Sequence, residues 1–119
     1  MTDWYTRPVF FVADAERARA FYVDQLGFTE TWRHAEDGEL LVVQLARVAC
    51  EIILSSQWPE KNGRGMVFVS LSEAAFAALR PALEAKGVAV RDGWWGYPCL
   101  IVDDPDGNQL YFPQPGSGS

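Results

Sequence analysis

The chain repeats itself at an offset of about 60 residues, and this constrains its fold more than any other feature. Val9-Phe10-Phe11-Val12 is an apolar run of strand length, followed by Asp14 as a helix N-cap. Ala15, Ala18, Phe21, Tyr22 and Leu26 then recur at helical spacing, and Gly27 supplies the stop. The second half repeats the order: a strand over Met66 to Val69, a capping box in Ser70-x-x-Glu73, and a helix carrying Phe76, Leu79, Leu83 and Ala85. Gly87 closes it, and Leu26-Gly27-Phe28 aligned with Lys86-Gly87-Val88 fixes the register. Pro81 inside the second helix pattern predicts a kink or a late start.

Strand-like segments follow each helix. They are Phe28 to Trp32, Leu40 to Leu45 and Cys50 to Leu54 in the first half, and Val88 to Arg91, Cys99 to Val102 and Gln109 to Phe112 in the second. The stretch His34 to Glu39 predicts a hairpin centred on Asp37-Gly38. The reading is α+β: two βαβββ modules, about 7–55 and 66–114, within a single domain over 1–114, joined by the polar loop Ser55 to Gly65. A module with a helix on one face of a curved sheet must cover its other surface, and a second copy does so, leaving a half-open barrel or trough suited to a small molecule.

Composition narrows the function classes. With 119 residues and 49% hydrophobic content the chain supports one real core. No apolar run reaches the roughly 18 residues a membrane helix needs, and the polar start Met-Thr-Asp-Trp-Tyr is unlike a secretory signal, so a cytoplasmic location without membrane contact is expected. A net charge of −6 argues against a nucleic-acid partner and mildly favours a cationic ligand. Cys50 and Cys99 lie in apolar runs and read as reduced, buried thiols. The tail 115–119 reads as a flexible end or a cloning remnant.

Two motifs carry a family resemblance over about residues 7 to 114. One is Ala18-x-Ala20-Phe21-Tyr22-x-Asp24-x-Leu26-Gly27-Phe28; the other is the turn Asp103-Asp104-Pro105-Asp106-Gly107-Asn108 opening a last strand. In this order they resemble the glyoxalase/bleomycin-resistance/dioxygenase family, the vicinal oxygen chelate fold. The resemblance implies metal-ligand positions at the starts of the two first strands and on the two last strands. Here those positions hold Arg7, Gly65 or Met66, Glu51 and Tyr111, and only Glu51 is an ordinary ligand. Arginine stays protonated, and a phenol ionises only near pH 10, so no metal and no cofactor are expected. Glu51 one residue out of register would point to solvent instead.

The other candidates are aromatic. Trp58 sits in the inter-module loop, and Trp94-Trp95-Gly96-Tyr97 precedes a strand. Trp94 and Trp95 read as pocket lining, dimer contact or simple packing, and one of Phe10 and Phe11 faces the trough. In non-catalytic members of the family, aromatics at such positions line the ligand groove. The expected binding surface is Arg7, Phe11, Trp32, Glu51, Trp58, Trp94, Trp95, Tyr97 and Tyr111. His34, the only histidine, lies among hairpin acids and is a weaker candidate base. The leading expectation is a metal-independent protein of the bleomycin-resistance type, a homodimer by resemblance, sequestering a drug or metabolite that is aromatic or cationic. The alternative is a lyase, isomerase or dioxygenase of the same superfamily using Glu51 and Tyr111 catalytically. A third reading is a scaffold module whose groove receives a peptide.

Overall fold

A computed structural model describes residues 4–116. Its elements run β1 (Val9–Phe11), α1 (Ala15–Ala20), β2 (Thr29–Glu36), β3 (Glu39–Arg47), β4 (Cys50–Ser55), β5 (Met66–Phe68), α2 (Glu73–Glu84), β6 (Arg91–Trp94), β7 (Pro98–Asp103) and β8 (Gln109–Pro113). Four strands form each of two mixed sheets, ordered β1-β4-β3-β2 and β5-β8-β7-β6. The orders correspond strand for strand, so the sequence repeat is a repeat of topology. The fold is α+β with two βαβββ modules, and no barrel closes. No helix among the described residues is long and apolar enough to cross a membrane. Of the expected flexible tail, 117–119 lie outside the described residues.

Local chemistry explains the elements. Asp14 caps α1 by accepting from the Arg17 backbone N at 3.1 Å. α1 then widens into a π-helical segment, Phe21–Gln25, in which Leu26 N donates to Phe21 O at 3.2 Å. Both helices end on a glycine with positive φ, 79° at Gly27 and 80° at Gly87. Val88 N donates back to Leu83 O at 3.0 Å, and Phe28 N donates to Tyr22 O at 2.9 Å, one residue further back because of the wider turn.

Three sequence expectations need correction. The cap of α2 is Ser72, whose Oγ accepts from Ala75 N at 3.2 Å, so the Ser70–Glu73 box does not form; Glu73 instead places its charge at the helix N-terminus. Pro81 does not delay α2, which begins at Glu73 and runs through it. The strand expected over Val88 to Arg91 forms at Arg91–Trp94, because Val88 and Val90 drop into the core as the chain leaves the helix. In addition, β2 reaches Glu36, well past Trp32, and its bulges at Glu30/Trp32 and His34/Ala35 break the two-residue alternation a pattern relies on. The hairpin is tighter than the six-residue stretch: only Asp37 and Gly38 turn, with φ of 52° and 79°, the paired positive values of a type I′ turn.

The helix-bearing faces of both modules share one core. Phe10, Val12, Tyr22, Phe28, Leu45 and Leu54 from the first pack with Leu79, Leu83, Leu100, Leu110 and Phe112 from the second. The turn between β7 and β8 locks them. Asp104 is buried and accepts from Tyr22 Oη at 3.0 Å, from Asn108 Nδ2 at 3.0 Å, and from the backbone N of Asp106 and Asn108, both at 2.9 Å. Asn108, fully buried, also donates to Phe11 O at 3.1 Å and accepts from Gly65 N at 2.7 Å. Asp106 Oδ1 accepts from Ala13 N at 2.9 Å. Gly65 is required there, since a Cβ would lie 2.8 Å from Asn108 Oδ1 and collide with the Phe10 ring.

Asp104→Ala should therefore cost about 3 kcal/mol in a urea titration, because Tyr22 Oη and two backbone donors lose their acceptor. Burial raises the Asp104 pKa more than its four bonds lower it. The neutral form is then the one the fold favours. The stability it contributes is complete below the ordinary carboxylate value and declines as pH rises through the raised value. Asp104→Asn should remove that decline when unfolding is followed from about pH 3 to 7.

Candidate functional site

Strand register sorts the candidate residues onto the faces opposite the core. On the first sheet Val9, Ile53, Gln44 and Trp32 are register partners across four strands, as are Phe11, Ser55, Val42 and His34. Registered neighbours share a face. Phe11, Trp32 and His34 therefore share a face, Phe11 on one edge strand and the other two on the opposite edge, and strand alternation adds Glu51, opposite the buried Ile52 and Leu54. Glu51 is half-buried and pairs with Ala46 of β3. Trp32 is exposed and stacks on His34, ring centroids 6.4 Å apart and planes within 10°. His34 lies within β2, not at the hairpin tip, and contacts Glu36 at 3.0 Å.

Trp58 precedes a 3-10 turn, Pro59–Lys61, and meets Phe11 edge to face at 5.8 Å. Lys61, one short turn on, places its Nζ 5.2 Å from the Phe11 ring and 5.7 Å from Trp58. Sequence reasoning did not single out Lys61. The signal was its spacing of three from Trp58 behind a Pro that starts a helical turn. Arg7 is exposed, its guanidinium 5.3 Å from the Tyr5 ring centroid.

On the second sheet Phe68, Tyr111, Ile101 and Arg91 form the corresponding row. Phe68 stacks on Tyr111 at 5.1 Å with 27° between planes, and Trp95 meets both edge-on at 5.1 and 5.8 Å. Tyr97 packs beside this group with Cys99 and Ile101. Ile101 can lie flat because Gly93 has no Cβ to strike it. Trp94 is 70% exposed and joins no aromatic pair. Phe68, which sequence reasoning did not name as a candidate, follows Met66 at a spacing of two, on the face away from Val67, and belongs to the aromatic cluster. Arg91 and Asp103 edge this face with a two-pronged ion pair at 2.9 and 3.1 Å, which holds the Asp103 carboxyl below its usual value. The pair is half-exposed, so solvent screens most of its strength.

The structure thus divides the residues expected on one binding surface, Arg7 apart, between two separate surfaces. Phe11, Trp32, Glu51 and Trp58 lie on the first, Trp95, Tyr97 and Tyr111 on the second, with Trp94 at its margin. Cys99 is buried, but Cys50 is only half-buried, a correction to the expectation of two buried thiols; both are free, and burial raises both thiol pKa values.

A family model described as glyoxalase superfamily protein matches residues 4–118. The chain belongs to the glyoxalase superfamily. No curated protein matches it. Among solved structures, TnmS3, an antibiotic-binding protein from Streptomyces sp. CB03234, superposes with a TM-score of 0.72 at 22% identity, covering 98% of this chain and 100% of that one. The bleomycin-binding protein of Streptomyces verticillus, solved with copper(II)-bleomycin, gives 0.73 at 18%, covering 95% and 98%. Lactoylglutathione lyase from Agrobacterium tumefaciens gives 0.70 at 17%, covering 95% of each. At these identities the likeness is one of fold.

The superfamily's metal positions do not fit a divalent cation in this chain. Among the described residues no three His, Cys, Asp or Glu side chains converge. Arg7 is a cation directed at Tyr5, and the Tyr111 ring is stacked against Phe68. Only Glu51 offers an ordinary donor, whereas a protein-bound metal needs several. Titration with Zn²⁺, Ni²⁺ or Fe²⁺ should give no one-per-chain uptake by calorimetry.

Proposed function

We propose that this superfamily member is a metal-independent cytoplasmic binding protein that sequesters a small aromatic molecule, such as a drug, without altering it. The observation that carries this reading is the Phe68–Trp95–Tyr111 cluster: three flat rings packed together on the sheet face away from the shared core, with Tyr111 buried and Trp95 half-exposed. Such faces suit planar partners. The antibiotic- and bleomycin-binding relatives, similar in fold, support a drug as the class of ligand.

Charge refines the ligand. The net charge of −6 attracts cations from a distance, but Lys61 already occupies the cation position over Phe11 and Trp58. An electron-rich or neutral aromatic therefore suits this surface better than a cation does. A homodimer fits the exposed rings, because a second chain laid over an open face would enclose a ligand. Sedimentation should give a dimer at micromolar concentration; a monomer would refute that part.

Planar heteroaromatic compounds should quench tryptophan fluorescence, and Trp95→Ala should weaken their binding about tenfold while leaving thermal unfolding nearly unchanged. Unaltered affinity in that variant would overturn the site.

One observation keeps an enzyme reading alive: Glu51 shares its face with Phe11 and Trp32. If the chain is a lyase or isomerase, Glu51→Gln abolishes turnover and retains binding; if it only binds, no turnover exists to lose.

A further inference from the structure

On its helix side the second sheet borders a cleft of about 530 Å³. Val69, Leu110 and Phe112 line it from the sheet, Leu79 and Leu83 from α2, and Phe28 from the first module. Phe68 borders the cleft too, but its ring stacks on Tyr111 at the opposite face, where the aromatic cluster lies. Sheet and helix thus leave a gap in the core of the second module that the first module only partly fills.

The mouth of this cleft is different in kind. The two-residue turn between β3 and β4 forms its lip, where Val48 is 98% exposed and held at a φ of 55°, unusual for a β-branched residue. Beside it Arg47 donates from Nη1 to Leu26 O at 2.8 Å, which fixes the guanidinium at the opening. Arg47 forms no ion pair with any carboxylate among the described residues. Glu51 also borders the cleft, but strand alternation directs its side chain to the other face of the first sheet. Thr6, Ser70 and Ser72 add hydroxyls around the rim.

We propose that this cleft is a second binding site, for a small organic carboxylate with an apolar body. The body lies between α2 and β8, and the carboxylate meets Arg47, whose remaining N–H groups form a fork matched to two oxygens. Apolar walls exclude free phosphate, which could not bury its remaining charge there. The guanidinium selects an acid over the corresponding alcohol. This site does not depend on the aromatic one, so the two readings fail separately.

Cys50 reports on the site because its thiol lines the cleft, while Cys99 is buried on the far face of the second sheet and serves as an internal control. The full chain is alkylated with iodoacetamide, and each cysteine is followed by peptide mass, with decanoate as the probe below its micelle-forming concentration. Saturating decanoate should slow alkylation of Cys50 at least about fivefold and leave Cys99 unchanged. Decanol should protect at a concentration about tenfold higher, and Arg47→Gln should weaken decanoate by a similar factor, with Arg47→Lys recovering part of it. Ala75→Phe, which places a ring in the mouth from an exposed position on α2, should abolish protection at an unchanged melting temperature. The proposal is overturned if decanoate leaves the Cys50 rate unchanged, or if decanol protects equally and Arg47→Gln has no effect. It is also overturned if Cys50 slows with rising protein concentration alone, since a second copy would then be the occupant.

Discussion

A single buried carboxyl group holds the two modules to each other. Asp104 accepts from Tyr22 of the first module and from three donors in its own turn, and its neighbour Asn108 completes the junction at Phe11 and Gly65. A buried hydroxyl or amide without a partner is costly. Separated, the first module would leave Tyr22 Oη and Ala13 N without these acceptors, and Asn108 of the second would lose its bond to Phe11 O. Neither half has a satisfied polar interior alone. The π-helical widening at Phe21–Gln25 belongs to the same device, for it occurs at Tyr22, the residue that must reach across. Everything outward of the junction depends on it, because joining the helix-bearing faces turns the other face of each sheet away from the shared core.

Much of this was legible in the chain. Gly27 and Gly87 stop their helices because the left-handed backbone there suits glycine, and that local requirement shows directly in the spacing. Asp37-Gly38 is legible for the same reason. What failed to show depends on tertiary context. Val88 and Val90 look like strand residues, yet core packing takes them, and the strand starts later at Arg91. The bulges in β2 follow from sheet curvature, which no alternation encodes. The turn Asp104 to Asn108 reads as a turn from its Pro and Gly, but its role as the junction depends on Tyr22, 82 positions away in the chain.

The site was legible as a composition of aromatics, not as an arrangement. Sequence puts Trp58 in a loop and Tyr111 on a strand; only the fold shows that they belong to different surfaces. Phe68 was indistinguishable from a core residue because β5 is three residues long, too short for alternation to declare a face. Lys61 was missed because a loop lysine is usually solvated, and here it lies over two rings instead.

The two surfaces come from equivalent positions in the repeat, yet they are not equivalent electrostatically. On the first, Lys61 brings a full charge to the ring faces of Phe11 and Trp58. On the second, Arg91 and Asp103 neutralise each other at the edge of the face that carries Phe68, Trp95 and Tyr111. Long-range attraction from the net negative charge is screened within about 8 Å at physiological salt, so contact groups decide what stays bound. Any ligand stacking on the rings of the first surface, cationic or neutral, must displace Lys61 from them, whereas the arginine beside the second is paired. The divergence of the halves thus leaves two copies of one surface unlike in charge, a lysine over the rings of the first and a closed ion pair at the edge of the second.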